Sequence, residues 1–279
     1  MTILVTGARG QIGRAVLDSL HAKGLKVRAA SNDPSALDLP AGVEAVALGD
    51  EPETLSAAVD GVDQVFLYAN PTRANAFAAA AEQAGVEHVV LLSSSAASHP
   101  QAADNPIGAS HLAVEKALAA TTLVTTTLRP GGFDSNAFGW IPAVRAGQPI
   151  EHAHPDAALA MIHPLDIADI AVAALTGTEL RGHTVTLTGP EPISFRAQIG
   201  QLAEAIGREI PIVQISRDEA ATQLSRTMPP HIVESLLAVW DRYVDSPETP
   251  ADTTETLLSV PARTFAQWAT ENAAAFTAS

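Results

Sequence analysis

The feature that most constrains the fold of this chain is a glycine-rich turn near its start, where residues 2–13 read TILVTGARGQIG. The β-branched run at residues 3–6 leads directly into Gly7, Gly10 and Gly13, and apolar residues then recur at helical spacing. Strand, glycine turn and helix in this order form the unit that holds a dinucleotide pyrophosphate. One glycine permits the tight turn, one lets the backbone approach the phosphates, and one lets the helix pack close to the strand.

The turn and the start of the helix are therefore the predicted pyrophosphate site. The N-terminus of a helix presents free N–H groups and a partial positive charge to an anion. The residues expected to contact the pyrophosphate are Gly7, Ala8, Arg9, Gly10, Gln11, Ile12 and Gly13. The alternative is a plain turn between strand and helix that binds no ligand.

The first half of the chain alternates short apolar runs with helical patterns. This alternation predicts an α/β fold, a Rossmann doubly wound parallel sheet with helices on both faces. The predicted strands are 3–6, 25–30, 43–48, 62–68, 86–92 and 123–128, and the predicted helices after the first are 53–59, 73–84 and 110–120.

The second half is less regular and predicts a smaller, mostly helical C-terminal lobe. Helices are expected at 137–146 and 166–175, a strand at 183–187, a helix capped by Ser194 that runs to Ile206, a strand at 212–215 and three further helices. We expect residues 1–135, with 163–189 returning to them, to form the NAD(P)-binding Rossmann domain. Residues 136–162 and 190–279 form the smaller lobe on the substrate side.

Composition narrows the class of protein and its partners. The chain has 279 residues and no cysteine, so it has neither disulfides nor thiolate chemistry. A net charge of −15 argues against nucleic-acid binding, which needs basic patches. The chain enters a predicted core strand by residue 3, and its apolar runs are too short to cross a bilayer. We therefore expect a cytoplasmic protein with no membrane partner.

Several short motifs follow one another along nearly the whole chain. They are TGARGQIG, the Gly49-Asp50 step, Ser93-Ser94-Ser95, LRPG from residue 128, HPLDIA from 163, LTGPE from 187, IGR from 206 and RTFA from 263. This series resembles the NmrA-like, atypical short-chain dehydrogenase/reductase family, which includes triphenylmethane-reductase-like and quinone-oxidoreductase-like members. The resemblance implies a Rossmann domain whose smaller lobe closes over the nicotinamide end.

The end of the second strand is expected to select the adenosine ribose. NAD sites usually place an acid there, whereas NADP sites place an arginine near the phosphate. This chain has Ser31 and Asn32, followed by Asp33, and NADP-binding family members often carry arginine where it has Asn32. The resemblance places Arg9 close enough to supply the missing charge, while Asp33 is an alternative partner for a ribose diol. The cofactor is NADP or NAD, with NADP slightly favoured.

Two further residues bear on the adenosine end. The resemblance places Asp50 near the adenine, and the alternative or additional role of Asp50 is to cap the next helix. Arg28 is a second candidate for the phosphate, but its position in mid-strand favours a surface role.

The carboxyl ends of the other strands should form the nicotinamide wall, because open α/β sheets bind ligands at that edge. The residues expected there are Tyr68, Ala69, Asn70, Ser93, Ser94, Pro130, Gly131, Gly132 and Phe133. Asn136, Phe138 and Trp140 are candidates to line the acceptor pocket. The aromatic residues among them are equally suited to the core.

The chain lacks the Tyr-x-x-x-Lys dyad of ordinary short-chain dehydrogenases, because Tyr68 is followed four residues later by Thr72 and Tyr243 by Pro247. The resemblance places His111 and Glu115 where those enzymes have tyrosine and lysine. Their spacing puts both side chains on one helix face. They form either a substrate-facing pair that donates or relays a proton, or a surface pair or helix-cap contact.

Other chemistries are not supported by the sequence. His152 and His154 are two residues apart, and His163 follows, which suggests a metal site. The chain nevertheless has no further ligand at a zinc-like spacing and no H-E-x-x-H string, so no metal is predicted. No G-x-S-x-G elbow surrounds Ser93, which argues against a serine nucleophile.

The sequence therefore predicts an NAD(P)H-dependent oxidoreductase that transfers hydride to a small, conjugated, electron-poor acceptor such as a quinone. Hydride transfer is cofactor chemistry, and such acceptors need little acid assistance. The alternative is a non-catalytic, NAD(P)-binding redox sensor of the NmrA type. The expected partner is the small-molecule acceptor, and a homodimer is left open.

Overall fold

The structure is a computed structural model, and it describes residues 1–277. The strands of this range are β1 (Thr2–Thr6), β2 (Lys26–Ser31), β3 (Glu44–Ala47), β4 (Gln64–Tyr68), β5 (His88–Leu92), β6 (Val124–Pro130), β7 (Ile150–His152), β8 (Ala158–Leu159), β9 (Thr184–Leu187), β10 (Ile193–Ser194) and β11 (Ile212–Gln214). Within residues 1–277, seven of them form one parallel sheet in the order β3-β2-β1-β4-β5-β6-β9. The order changes direction between β1 and β4, which opens a ligand crevice at their carboxyl ends.

The α-helices are α1 (Gln11–Ala22), α2 (Pro52–Val59), α3 (Ala74–Gln83), α4 (Pro106–Ala119), α5 (Ile141–Arg145), α6 (Pro164–Thr176), α7 (Phe195–Ile206), α8 (Arg217–Leu224), α9 (Pro230–Arg242), α10 (Thr254–Leu258) and α11 (Phe265–Thr277). Helices α1 and α6 pack together, while α2, α3 and α4 share one apolar cluster with the sheet. The predicted doubly wound Rossmann sheet is confirmed. None of the helices within residues 1–277 combines the length and the hydropathy that a membrane span requires.

The chain divides into two compact units. The first comprises Met1–Pro130, Pro164–Leu187 and Thr256–Ser259, and the second comprises Gly131–His163, Thr188–Glu255 and Val260–Ser279. The predicted boundaries lie at residues 135, 163 and 189, and residues 256–259 are not predicted to join the first unit. The core of the second unit surrounds the fully buried Trp268, which packs against Phe138 and Phe265.

Several predicted elements differ from the observed ones. The helix predicted at 137–146 is a 3₁₀ segment (Asp134–Trp140) followed by the short α5, because Pro142 favours a new helix start over continuation of the preceding turns. Four helices rather than three follow β11 within residues 1–277. The extra one is α10, whose five residues are too few to show periodicity. Helix α4 begins before the predicted residue 110, because Asn105 caps it and Pro106 occupies its first turn.

Candidate functional site

The glycine turn between β1 and α1 has a backbone shape that larger residues would disrupt. Gly7 has a φ of +67°, and a Cβ placed on it would lie 3.0 Å from the Cβ of Tyr68. A Cβ on Gly13 would lie 2.3 Å from the Gly7 carbonyl oxygen. The Gly10 N–H donates to that same oxygen at 2.8 Å, which closes the turn. Gly7 and Gly13 therefore have separate steric reasons, and a Cβ on Gly10 would also lie tightly, 3.3 Å from the Gly7 carbonyl oxygen.

The start of α1 has the character of an anion site. Its N-cap residue is Gly10, which has no side chain to bond the first helical N–H groups, and its first turn holds no acidic residue. Uncapped N–H groups and the positive end of the helix dipole attract a phosphate at such a position. The donor set therefore fits a pyrophosphate.

A cavity of about 350 Å³ opens beside this turn, within the first unit. Its lining consists of Thr6, Gly7, Ala8, Arg9 and Gly10 from the turn, Ala30, Ser31, Asn32 and Leu48 from the ends of β2 and β3, and Leu67, Tyr68, Asn70, Arg73, Ala74, Phe77 and Val114 from β4, α3 and α4. Of the residues expected to contact the pyrophosphate, Gln11, Ile12 and Gly13 do not belong to this lining. Ile12 is buried beneath the turn, and Gly13 supports it from within α1.

Arg73 is a lining residue that the sequence did not single out. Its side chain is 9% exposed and joins three segments. One terminal nitrogen donates to the Leu48 carbonyl, the other lies 3.2 Å from Asn32 Oδ1, and Nε lies 3.1 Å from Asp50 Oδ1. An arginine at the N-terminal end of a helix opposes the helix dipole. That unfavourable placement is the sequence signal that could have identified it.

The contacts of Asp50, Arg28 and Asp33 show what each of these side chains bonds in the structure. Helix α2 has Glu51 at its N-cap, so the prediction that Asp50 caps this helix is wrong, and Asp50 pairs with Arg73 instead. Arg28 bonds Glu44 at 2.8 Å and two backbone carbonyls, consistent with a structural role. The hydrogen bonds from Ser35 lower the pKa of the exposed Asp33 carboxyl.

The residues predicted to form the catalytic pair have different environments. Glu115 Oε1 accepts hydrogen bonds from the Ser93 hydroxyl and from Arg129 Nε at 3.0 Å, and Oε2 accepts one from the second guanidinium nitrogen. Burial opposes ionisation of this carboxyl, but these hydrogen bonds outweigh it and hold its pKa below the ordinary value. Glu115 is therefore ionised at neutral pH and orients Ser93 and Arg129, which does not suit a proton donor.

His111 remains a candidate to contact an acceptor. Burial lowers its pKa, against the opposing charge of Glu115, so the imidazole is neutral at pH 7. Its Nδ1 is buried and has no hydrogen-bond partner among residues 1–277. A neutral imidazole still provides one N–H donor.

The other predicted wall residues occupy strand ends, as expected from the sheet topology. Tyr68 is 58% exposed, and its backbone N–H donates to the Thr6 hydroxyl at 2.7 Å. Asn70 accepts from the Thr72 N–H, and Ala69 packs against the apolar cluster of the sheet. Ser94 caps the 3₁₀ segment Ser95–Ser98, while Pro130 ends β6.

The remaining predicted residues belong to the second unit. Gly132 lies against Met161, and Phe133 pairs with Ile162 in an isolated bridge, with Gly131 just before them. Asn136, Phe138 and Trp140 occupy the 3₁₀ segment Asp134–Trp140, where Asn136 is exposed. Phe138 packs 5.0 Å from Trp268, and Trp140 packs 6.4 Å from Phe195. Both aromatic rings thus contribute to the apolar core of this unit.

The three histidines considered as metal ligands make separate contacts. The His152 ring lies 4.1 Å from the Phe195 ring in a tilted arrangement, and burial together with the nearby His154 lowers the pKa of His152 to about 4. His154 Nε2 lies 2.7 Å from Asp241, while His163 Nε2 lies 3.2 Å from Glu271. Among residues 1–277, no group of three or more histidine or acidic side chains is arranged to hold a metal ion.

Comparison with known proteins identifies the family of this chain. Residues 7–178, which span the glycine turn and most of the sheet, match the family described as NAD(P)H-binding. The chain belongs to this family. It is also 38% identical to a (4-alkanoyl-5-oxo-2,5-dihydrofuran-3-yl)methyl phosphate reductase of Streptomyces griseus, over 98% of this chain and 99% of the relative. A further relative, the NAD(P)H azoreductase of Xenophilus azovorans, is 31% identical over 98% of this chain and 99% of its own length.

Solved structures show the same fold at lower identity. An NADPH-dependent quinone oxidoreductase from Escherichia coli, complexed with NADPH, superposes with a TM-score of 0.82 at 22% identity, covering 97% of this chain and 99% of that one. The Citrobacter triphenylmethane reductase, complexed with NADP(H), gives 0.81 at 21% identity, covering 98% and 100%. The predicted membership of the NmrA-like reductase group is confirmed.

Proposed function

We propose that this protein is an NAD(P)H-dependent reductase that transfers hydride to a small, conjugated, electron-poor acceptor. The glycine turn at the head of the cavity carries this proposal, because its steric requirements at Gly7 and Gly13 are those of a dinucleotide cradle. The bound dinucleotide supplies the hydride. The protein holds that dinucleotide and positions the acceptor.

The nature of the acceptor is inferred from the groups that the chain lacks and from its relatives. Neither Tyr68 nor Tyr243 is followed by lysine at the dyad spacing, and Glu115 is ionised. A positioned acid contributes roughly 10²–10⁴-fold to such reactions, so an acceptor that needs early protonation is a poor substrate here. The relatives are named for an azo, a quinone and an oxo-dihydrofuran substrate, which share conjugation and electron deficiency.

Within the first unit, Ser93 and His111 provide the polar groups for the acceptor end. The Ser93 hydroxyl donates its single proton to Glu115, whose carboxylate Arg129 also holds, so Ser93 retains only acceptor capacity, whereas the neutral His111 offers an N–H donor. His111 can therefore donate to the oxygen or nitrogen on which negative charge develops, as a preorganised donor does. The final proton then comes from solvent.

NADPH is the preferred cofactor in this proposal. Arg9 lines the cavity beside the end of β2, and its charge is felt at Asp33. Arg9 is exposed and lines the cavity, so its guanidinium is available for a 2′-phosphate. Arginine is well suited to that group because its planar fork bonds phosphate oxygens in pairs.

The test is an absorbance assay of NADPH and NADH oxidation, using a quinone, an azo dye, an unsaturated lactone and an unactivated ketone. We expect oxidation of NADPH with the three conjugated acceptors and little with the ketone. Tight binding of both dinucleotides without oxidation by any acceptor would favour the sensor alternative. Reduction of the ketone at a rate similar to that of the quinone would refute the assignment of acceptor class.

A further inference from the structure

Arg73 is the cavity residue whose contacts have the clearest consequence for ligand choice. It begins the turn into α3, whereas its partners Asn32, Leu48 and Asp50 follow β2 and β3. The ends of these strands form the part of a Rossmann site that receives the adenosine ribose. One nearly buried side chain therefore connects the segments that surround this part of the cavity.

The contact between Arg73 and Asn32 fixes the direction of the Asn32 amide. A guanidinium has donors and no acceptor, so the amide group that faces it at 3.2 Å must be the oxygen. The Asn32 NH₂ is consequently directed away from Arg73. An amide NH₂ donates hydrogen bonds and accepts none.

The neighbouring carboxylate, Asp33, is engaged by its own local partner. Asp33 Oδ1 accepts from both the backbone N–H and the hydroxyl of Ser35, at 3.1 and 2.6 Å, and caps the 3₁₀ segment Pro34–Ala36. A ribose 2′-hydroxyl is normally bound by a carboxylate acceptor at the end of this strand, whereas a 2′-phosphate needs donors. Asn32 held by Arg73 presents donors at this position.

We propose that Arg73 is a positioning residue that sets the preference for a 2′-phosphorylated dinucleotide by holding Asn32 with its NH₂ toward the ligand. This inference rests on the proposed NADPH-dependent function and identifies what determines its cofactor selectivity. Arg73 acts through Asn32 and does not itself contact the phosphate, because its nitrogens face Asn32, Leu48 and Asp50. Without Arg73 the amide is free to present its oxygen, which repels a phosphate.

The experiment measures the dissociation constants of NADPH and NADH by calorimetry for the wild type, Arg73→Met, Asn32→Ala and the double variant. Loss of one hydrogen bond to a charged group corresponds to about a tenfold change in affinity. We expect each single variant to lower the NADPH-to-NADH preference about tenfold. The double variant should lower it no further than Asn32→Ala, because Arg73 acts through Asn32. Titration with 2′,5′-ADP and 5′-AMP repeats the comparison at the adenosine end alone.

The control is Arg28→Met, which removes another arginine that bonds a carboxylate and backbone carbonyls but does not line the cavity. It should leave the cofactor preference unchanged. Should Arg73→Met fail to fold, Asn32→Asp at the exposed Asn32 position tests the same idea. It should reverse the preference toward NADH, because a carboxylate repels the phosphate and accepts from the ribose.

Three results would overturn the role of Arg73. They are equal losses of NADPH and NADH affinity in Arg73→Met, additive effects in the double variant, and an unchanged preference in Asn32→Asp. Each of these requires that the wild type binds a dinucleotide. Failure of the wild type to bind either one would refute the proposed function instead, so the two failures are distinguishable.

Discussion

Substitution of Gly13 by alanine tests the steric origin of the dinucleotide cradle. The added Cβ would lie 2.3 Å from the Gly7 carbonyl oxygen and 2.7 Å from the Gly7 carbonyl carbon. Ordinary contacts begin at 3.4 Å, so α1 and the turn must separate by about 1 Å. Both opposing atoms belong to the backbone, which cannot move aside by a change of rotamer.

The expected magnitude follows from two opposing effects. Alanine is favoured over glycine in a helix by about 1 kcal/mol, whereas forced overpacking costs about 1–3 kcal/mol and more against backbone. We expect a net loss of about 2 kcal/mol in unfolding free energy, or about 3 °C in melting temperature for a chain of this size. NADPH affinity should fall by about 100-fold, because a displaced turn loses at least two charge-assisted hydrogen bonds to the pyrophosphate.

The measurements are urea unfolding and calorimetric titration with NADPH, and Gly200→Ala is the matched control. Gly200 lies within α7, and a Cβ there meets no atom within 4 Å. The same chemical change should therefore stabilise that helix by up to about 1 kcal/mol and leave NADPH binding unchanged. If Gly13→Ala behaved like Gly200→Ala in both measurements, the steric explanation of the cradle would be wrong.

Three further predictions concern charged and titratable groups. Arg9→Ala should weaken NADPH about tenfold more than NADH in calorimetry, and equal weakening would exclude contact with the phosphate. Glu115→Gln should lower unfolding free energy by about 2 kcal/mol because it leaves the half-buried Arg129 unpaired. The control is Glu234→Gln, which removes the exposed carboxylate that pairs with Arg217 and should lower unfolding free energy by less than about 1 kcal/mol. His88, with a folded pKa of about 4, is protonated first in the unfolded chain, so it should contribute a loss of about 3 kcal/mol in unfolding free energy between pH 6.5 and 4. Because His152 has a similar folded pKa, His88→Gln should remove the His88 share of the loss measured by urea unfolding and leave the His152 share.

The fold could be predicted wherever the sequence pattern is local. The glycine turn, the strands of the parallel sheet and the cap at Ser194 each depend on residues that are close together in the chain, and each is observed. The short strands β7, β8 and β10 could not be predicted, since two or three residues show no alternation. The 3₁₀ start before α5 depends on Pro142, whose effect the apolar pattern conceals.

The site was less predictable because its decisive contacts join distant residues. Arg73 lies 41 positions from Asn32, and Glu115 lies 22 from Ser93 and 14 from Arg129. Only the order of strands in the sheet brings these residues together. The resemblance placed Glu115 at the lysine position of the dyad, but only its partners Ser93 and Arg129 determine that it is an anion rather than an acid.

That difference at Glu115 has a consequence for the reaction. In a Tyr-x-x-x-Lys enzyme this helix face supplies an acid whose pKa a neighbouring cation lowers. Here the face carries the ionised Glu115 carboxylate, which accepts hydrogen bonds from Ser93 and Arg129, and the neutral His111 lies on the same face. Hydride transfer must then leave the new charge on the acceptor until water protonates it. Conjugation delocalises such a charge, so the ionised state that Arg129 and Ser93 impose on Glu115 favours an electron-poor acceptor over an unactivated ketone.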